Sequence, residues 1–277
     1  MSVRRRLFPL AFAAAAAVAV AFLALPLIAI FLRVPPGRLL DQLGNRVVVD
    51  ALEVSLKTTL IAQALILVLG TPTAYLLATR RFRGRSLVVT LVELPLVVPP
   101  AVAGIGLFAA FGRTGLFGST LSAFGVQIPF TEAAVVFAIA FVASPLYVRQ
   151  AIAAFESVDP ALVDASRTLG AGEARTFRRV ALPLAAGGLA AGTALAFARG
   201  LGEFGATIMF AGSLQGVTQT LPLAIYAEFD QQFDAALAIG GLLVVISAAI
   251  LVLLKIGLPW KSSASISLFP FAPSHSS

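Results

Sequence analysis

Cysteine is absent, which excludes disulfides, thiolate metal sites and cysteine nucleophiles. Histidine occurs once, as His275 in a polar tail, so Ser/His hydrolysis and histidine metal cages are excluded as well. Charge is scarce: 12% of the 277 residues are Asp, Glu, Lys or Arg, whereas ordinary globular domains carry about a quarter. No G-x-x-x-x-G-K-[ST] loop occurs, so nothing in the chain is built to hydrolyse ATP. Carboxylates paired for acid–base chemistry are missing too, which leaves no reading as an intramembrane enzyme.

What is abundant is apolar residues, 59% of the chain, with a mean hydropathy of +0.96. They come in six long blocks, about 7–32, 54–79, 86–111, 131–154, 181–210 and 234–257. Each can cross a hydrocarbon core of about 30 Å as a helix of about 20 residues. The runs do not alternate, which argues against a β-barrel, and in lipid the backbone must satisfy itself within a helix. Arg4, Arg5 and Arg6 before an Ala-rich run resemble a secretion signal. The run reaches Leu32, however, well past an h-region of about 7–15 residues, so an uncleaved first span is expected. No internal repeat or matched pair of halves is visible, which disfavours an inverted-repeat carrier.

The charges orient the bundle. Arg4–Arg6, the Arg80, Arg81, Arg83, Arg85 link, the set Arg149, Arg167, Arg175, Arg178, Arg179, and Lys255 with Lys261 put fourteen basic residues on one side. The other side has four: Arg33, Arg38, Arg46 and Arg113. The basic side is read as cytoplasmic, with both termini inside. The net charge of +7 is therefore a topology signal, and no nucleic-acid partner is implied. The links 33–53, 112–130 and 211–233 are expected to cap the outer side. One membrane domain is expected over 1–257, followed by a Ser/Pro-rich, disordered cytoplasmic tail over 258–277.

The longest polar segment, 155–183, has helix punctuation. Asp159 is a good N-cap, Pro160 suits the first helical position, and Gly170 fits the place after a helix end. Between them Leu162, Ala165 and Leu169 share one face, with nothing in the loop itself to cover them. A second helix is expected from Glu173 to Pro183.

At these residues the chain resembles the permeases of ABC importers, whose signature loop reads EAA, three residues, Gly, nine residues, Ile, one residue, Leu-Pro. Here Asp164-Ala165-Ser166, Gly170, Val180 and Leu182-Pro183 stand at those places, with three mild departures. The resemblance implies a MetI-like helical bundle and makes this loop the element that couples to a cytoplasmic ATPase.

The fifth block narrows the resemblance. Gly188, Gly192, Ala196 and Gly200 leave one helix face nearly bare, and Gly200, Gly202 and Gly205 cluster around Glu203 where a helix can bend or unwind. An acid at membrane depth is a functional hypothesis by default. Two readings of Glu203 stand: a gate, or a structural group bonded to Arg199 or to backbone freed by the glycines. Residues 201–212 and 215–222, with 94–104 and 111–115, resemble the sulfate/molybdate branch, most closely the molybdate permeases. Pro95, Pro99 and Pro100 interrupt the third block, so that span is expected to be kinked or broken. They either line a pathway or are ordinary membrane-helix prolines. Glu93 is expected to pair with the Arg80–Arg85 cluster, and Glu53 with Lys57 at i, i+4.

The resemblance implies a non-catalytic permease subunit in a bacterial inner membrane, importing an oxyanion by alternating access. It implies no cofactor in this chain, since ATP and Mg would be used by two partner ATPase subunits. It also implies an extracytoplasmic binding protein, contact with membrane lipid and a second permease copy, most simply as a homodimer. Sulfate or tungstate transport, and an ATP-independent carrier, are the alternatives.

Overall fold

The computed structural model describes residues 3–34, 37, 41 and 44–257, and every regular element among them is helical. The expected tail at 258–277 lies outside the described residues, as do Pro35, Pro36, Arg38 and Lys261. The elements are α1 (Val3–Arg33), α2 (Arg46–Thr79), α3 (Arg85–Val97), α4 (Pro100–Phe111), α5 (Gly118–Ala123), α6 (Glu132–Glu156), α7 (Pro160–Thr168) and α8 (Glu173–Thr176). A π-helical turn, Phe177–Ala181, follows, then α9 (Leu182–Leu201), α10 (Gly205–Ala211), α11 (Leu221–Phe229) and α12 (Phe233–Gly257).

Five stretches are long and apolar enough to cross a membrane: Leu10–Arg33, α2, α6, Glu173–Leu201 and Phe233–Ile250. The sixth expected span is a pair, α3 and α4, bent by 115°. The break falls where proline chemistry puts it. Pro99 caps α4, Pro100 opens it, and neither can donate a backbone hydrogen bond. Pro95, by contrast, lies inside α3.

The hub is α6, on which α2, α3, α4, α9 and α10 all pack. Hydrophobic burial does not drive helices together in lipid, so close approach through small residues takes its place. The bare face of α9 does this. A Cβ on Gly188 would stand 2.5 Å from Ala154 Cβ, and one on Gly200 would stand 2.7 Å from Ile139 Cγ2. Below this seam Tyr75 of α2 meets Phe155 of α6 and Phe177 of the π turn edge-on, tying the three elements together. In contrast, no residue in the apolar window of α1 is buried by the rest of the chain.

Three expectations change. The second block is not confined to 54–79, because α2 begins at Arg46, with Asn45 accepting the Val47 N–H at 3.0 Å as N-cap. The fifth block is not one helix over 181–210: it ends at Leu201 and resumes, after Gly202, as the separate α10. The link 211–233 is more than an outer cap. Thr218, Gln219 and Thr220 are buried, α11 packs on α2 and α12, and the Leu221 N–H donates to Ser55 Oγ at 2.7 Å.

Candidate functional site

The loop between α6 and α9 is built from its caps outward. Asp159 Oδ1 accepts the Ala161 N–H at 2.8 Å, closing the N-terminus of α7. At the other end the Gly170 N–H donates to Arg167 O (2.9 Å) and the Ala171 N–H donates to Ser166 O (3.1 Å), a Schellman pair. Gly170 has φ +82°, the left-handed conformation that this motif requires and that a Cβ penalises. A Cβ there would meet nothing within 4 Å.

The apolar stripe of α7 faces away from the bundle. Leu162 is 48% exposed, Leu169 87%, and Ala165 is exposed as well. Asp164 is exposed and forms an i, i+3 ion pair with Arg167 at 3.7 Å. Ser166 turns the other way, its Oγ 3.1 Å from Oγ1 of the buried Thr176. The second loop helix does not stop at Pro183. α8 is a single turn that runs through the π turn into α9, where Leu182 and Pro183 are the first two residues. The Leu-Pro pair therefore lies within the continuous Glu173–Leu201 stretch and not at the end of a loop.

Two ion pairs bracket this loop. Arg80, at the end of α2, bonds Glu173, the first residue of α8. Arg85, the first residue of α3, pairs with Glu156, the last residue of α6, at 2.7 Å, and its Nε donates to Leu77 O at 2.6 Å. In the sequence these arginines read as topology determinants. The signal for their second role was there, in acids standing at both ends of the loop opposite a basic link. Glu93 does not join this cluster but lies 3.6 Å from Arg149 of α6. Likewise Lys57 turns from Glu53 to Glu132, at 2.7 Å, joining α2 to the start of α6.

The second candidate region is where the two broken elements meet. Gly202 ends α9, and α10 restarts at Gly205. Glu203, between them, is 2% exposed. Its Oε1 accepts the Ala206 N–H at 2.8 Å, and its Oε2 lies 2.6 Å from the Arg199 guanidinium, an ion pair without the alignment of a hydrogen bond. Both structural partners named for Glu203 are therefore present at once. The carboxylate caps a helix that the glycine break leaves with free N–H groups. On the facing side, a Cβ at Gly205 would lie 2.8 Å from Pro100 Cβ, and one at Gly104 would lie 2.6 Å from Ala206 O. Thus Pro99, Pro100, Gly202, Glu203 and Gly205 form one junction, α4 against α10. Pro95 stands apart, lining an apolar cleft with Leu91 and Phe141. Among the described residues no cluster of His, Cys, Asp and Glu is arranged to hold a metal.

Residues 66–258 match the family model described as the binding-protein-dependent transport system inner membrane component. The "Molybdenum transport system permease protein ModB" of Mycobacterium tuberculosis is 44% identical over 238 residues, 86% of this chain and 89% of that protein. The "Sulfate transport system permease protein CysT" of Salmonella typhimurium is 36% identical over 216 residues, 78% of each. Among solved structures, a chain of a bacterial alginate ABC transporter in complex with an alginate-bound periplasmic protein superposes with a TM-score of 0.65. The two share 18% identity, covering 92% of this chain and 93% of that one.

Proposed function

The chain belongs to the family of binding-protein-dependent transport system inner membrane components, and from that premise we propose that it carries molybdate into the cytoplasm by ATP-driven alternating access. It is a multi-pass inner-membrane permease of the ABC-importer type. The observation that carries the coupling role is α7: a capped helix on the basic side whose apolar stripe, Leu162, Ala165 and Leu169, is left uncovered. Such a stripe suits the groove of a partner ATPase. The 44% identity to a molybdenum permease supports molybdate over sulfate, for which the relative is 36% identical.

In this reading the partner ATPases use ATP and Mg, and this chain contributes no cofactor. Closure of the ATPase dimer pushes α7, and the two brackets, Arg80–Glu173 and Arg85–Glu156, pass the push to the α2–α3 link. α3 then moves the Pro99/Pro100 elbow against Gly205 and α10. A second copy of the permease supplies the other half of the pathway, and an extracytoplasmic binding protein delivers the dianion to it. Both termini are cytoplasmic in this arrangement, which the excess of basic residues on that side supports. Glu203 is not a ligand of the anion in this reading, since a carboxylate repels an oxyanion.

Uptake of radiolabelled molybdate by vesicles holding this chain, its ATPase and its binding protein tests the reading. ATP-dependent uptake that excess molybdate competes away and excess sulfate does not is the expected result. Equal competition by sulfate would move the chain to the sulfate branch, and ATP-independent uptake would sink the importer assignment.

A further inference from the structure

A concavity lies between α7 and the bundle, on the face of α7 opposite its apolar stripe. It has a volume of about 710 Å³. Its floor is aromatic and apolar, with Tyr75, Phe155 and Val163, and its rim carries Arg81, Arg85 and Arg167. Glu156 and Asp164 also line it, but each is already paired, with Arg85 at 2.7 Å and with Arg167 at 3.7 Å. Arg81 has no acidic partner within ion-pair distance among the described residues, so the cavity keeps one uncompensated positive charge. The carboxylates of Glu156 and Asp164 offset Arg85 and Arg167, so Arg81 is the guanidinium left open to an anion from outside the chain.

We propose that this cavity is a binding site for a tetrahedral oxyanion of the phosphate type, held chiefly by the unpaired Arg81, flanked by Arg85 and Arg167, and wedged between α7 and the ends of α2 and α6. Guanidinium forks match phosphate oxygens in pairs, which a lysine rim would not do. The site lies where α2, long and apolar enough to cross a membrane, ends and α3 begins, and basic pockets beside the ends of membrane helices take anionic headgroups. The same chemistry admits a free oxyanion from the aqueous side.

The position gives the site a consequence. α7 leans on the rest of the chain mainly through α8 and the π turn, with the Ser166–Thr176 hydroxyl pair as its polar contact. An occupant of the cavity fills the gap behind α7 and fixes how far its outer stripe stands from the bundle. The orientation of the site rests on the topology proposed above, but binding itself does not.

The test uses the purified full-length chain with its co-purifying partners in nanodiscs open on both faces, so sidedness and transport do not enter. In discs of phosphatidylcholine doped with phosphatidylglycerol, native mass spectrometry should find one phosphatidylglycerol retained per chain. Arg81→Gln, which breaks no contact in the structure, should weaken retention about tenfold, as loss of a charge-assisted hydrogen bond predicts. Arg83→Gln, in the same link but outside the cavity, should retain it fully. In discs of phosphatidylcholine alone, millimolar phosphate or molybdate is added and the melting temperature is followed. An Arg81-dependent rise there without lipid retention identifies a free oxyanion as the occupant and supports the site equally. If neither anion binds, or if Arg83→Gln loses as much as Arg81→Gln, the proposal is overturned and the importer reading stands or falls on its own experiment.

Discussion

Pro100 and Gly205 meet face to face at the point where two broken helices turn, and the glycine is the reason they can: a Cβ on Gly205 would lie 2.8 Å from Pro100 Cβ and 3.1 Å from the Ala101 nitrogen. Gly205→Ala should therefore force α4 and α10 apart, at a cost of about 1–3 kcal/mol for overpacking. Gly106→Ala, on α4 with nothing within 4 Å of its Cβ, should be silent. Melting temperatures of the two variants in detergent, with uptake assays, make the comparison. Equal stability and equal uptake would show that the junction is looser than its geometry.

Glu203 holds two partners, so its loss has a graded signature. Glu203→Gln keeps a side-chain oxygen for the Ala206 N–H but removes the charge opposite Arg199. Glu203→Ala removes both. The second variant should be the less stable by about 1–2 kcal/mol, the worth of a capping bond. If the charge also gates, Glu203→Gln and Arg199→Gln should lower uptake alike while the protein remains folded and inserted. Normal uptake in both would leave the carboxylate a purely structural cap.

Gly170→Val introduces a β-branched residue at φ +82°, a strain of about 1–2 kcal/mol, without a clash inside the chain. The six apolar blocks should still insert. Co-purification of the ATPase and hydrolysis stimulated by loaded binding protein should both fall. Gly172→Ala, at φ −67° with open space around it, is the control and should behave as wild type. Unaltered assembly and coupling in Gly170→Val would remove α7 from the mechanism.

The Arg80–Glu173 pair is exposed, so its value to stability is small, on the order of 0.2–1 kcal/mol. Its value to coupling should be larger. Arg80→Glu and Glu173→Arg are expected to hydrolyse ATP without matching uptake, and the charge-swapped double variant should recover the ratio of uptake to hydrolysis. A double variant no better than either single one would mean that the bracket transmits nothing.

Sidedness is open to a direct measurement, because the chain has no cysteine of its own. Cysteines at Ser119, exposed in α5, and at Arg175, exposed in α8, should react with impermeant reagents from opposite sides of the membrane. Labelling of both from one side would overturn the proposed orientation.

Local chemistry made parts of this arrangement legible in advance. Asp159, Pro160 and Gly170 fixed α7 because N-cap, first-turn proline and left-handed cap each depend on one residue type. The Pro99–Pro100 break followed from two missing donors. The Gly188/Gly192/Gly200 face could be read as bare, but its partner could not, since only the tertiary path brings α6 against it. The turn from Glu53 to Glu132 at Lys57, and from the arginine cluster to Arg149 at Glu93, was hidden for the same reason: neighbours at i, i+4 are visible in a sequence, and neighbours across a bundle are not. The break after Gly202 follows from the glycines, which let a helix bend or unwind, and a bond from Glu203 to freed backbone follows with it; that the freed N–H belongs to a separate helix, α10, does not.

The bare seam of α9 on α6 also divides the freedom of the sequence. At Gly188 and Gly200 the neighbouring atoms stand 2.5 and 2.7 Å from where a first side-chain carbon would be, so even one methyl group has no room. On the same helix Gly187 has nothing within 4 Å of that point, and Leu184 and Leu195 lie open. Drift within the lineage should therefore run along the outward strip of this helix, where apolar residues can replace one another. The inward strip should stay frozen, and two glycines one position apart should carry opposite substitution histories.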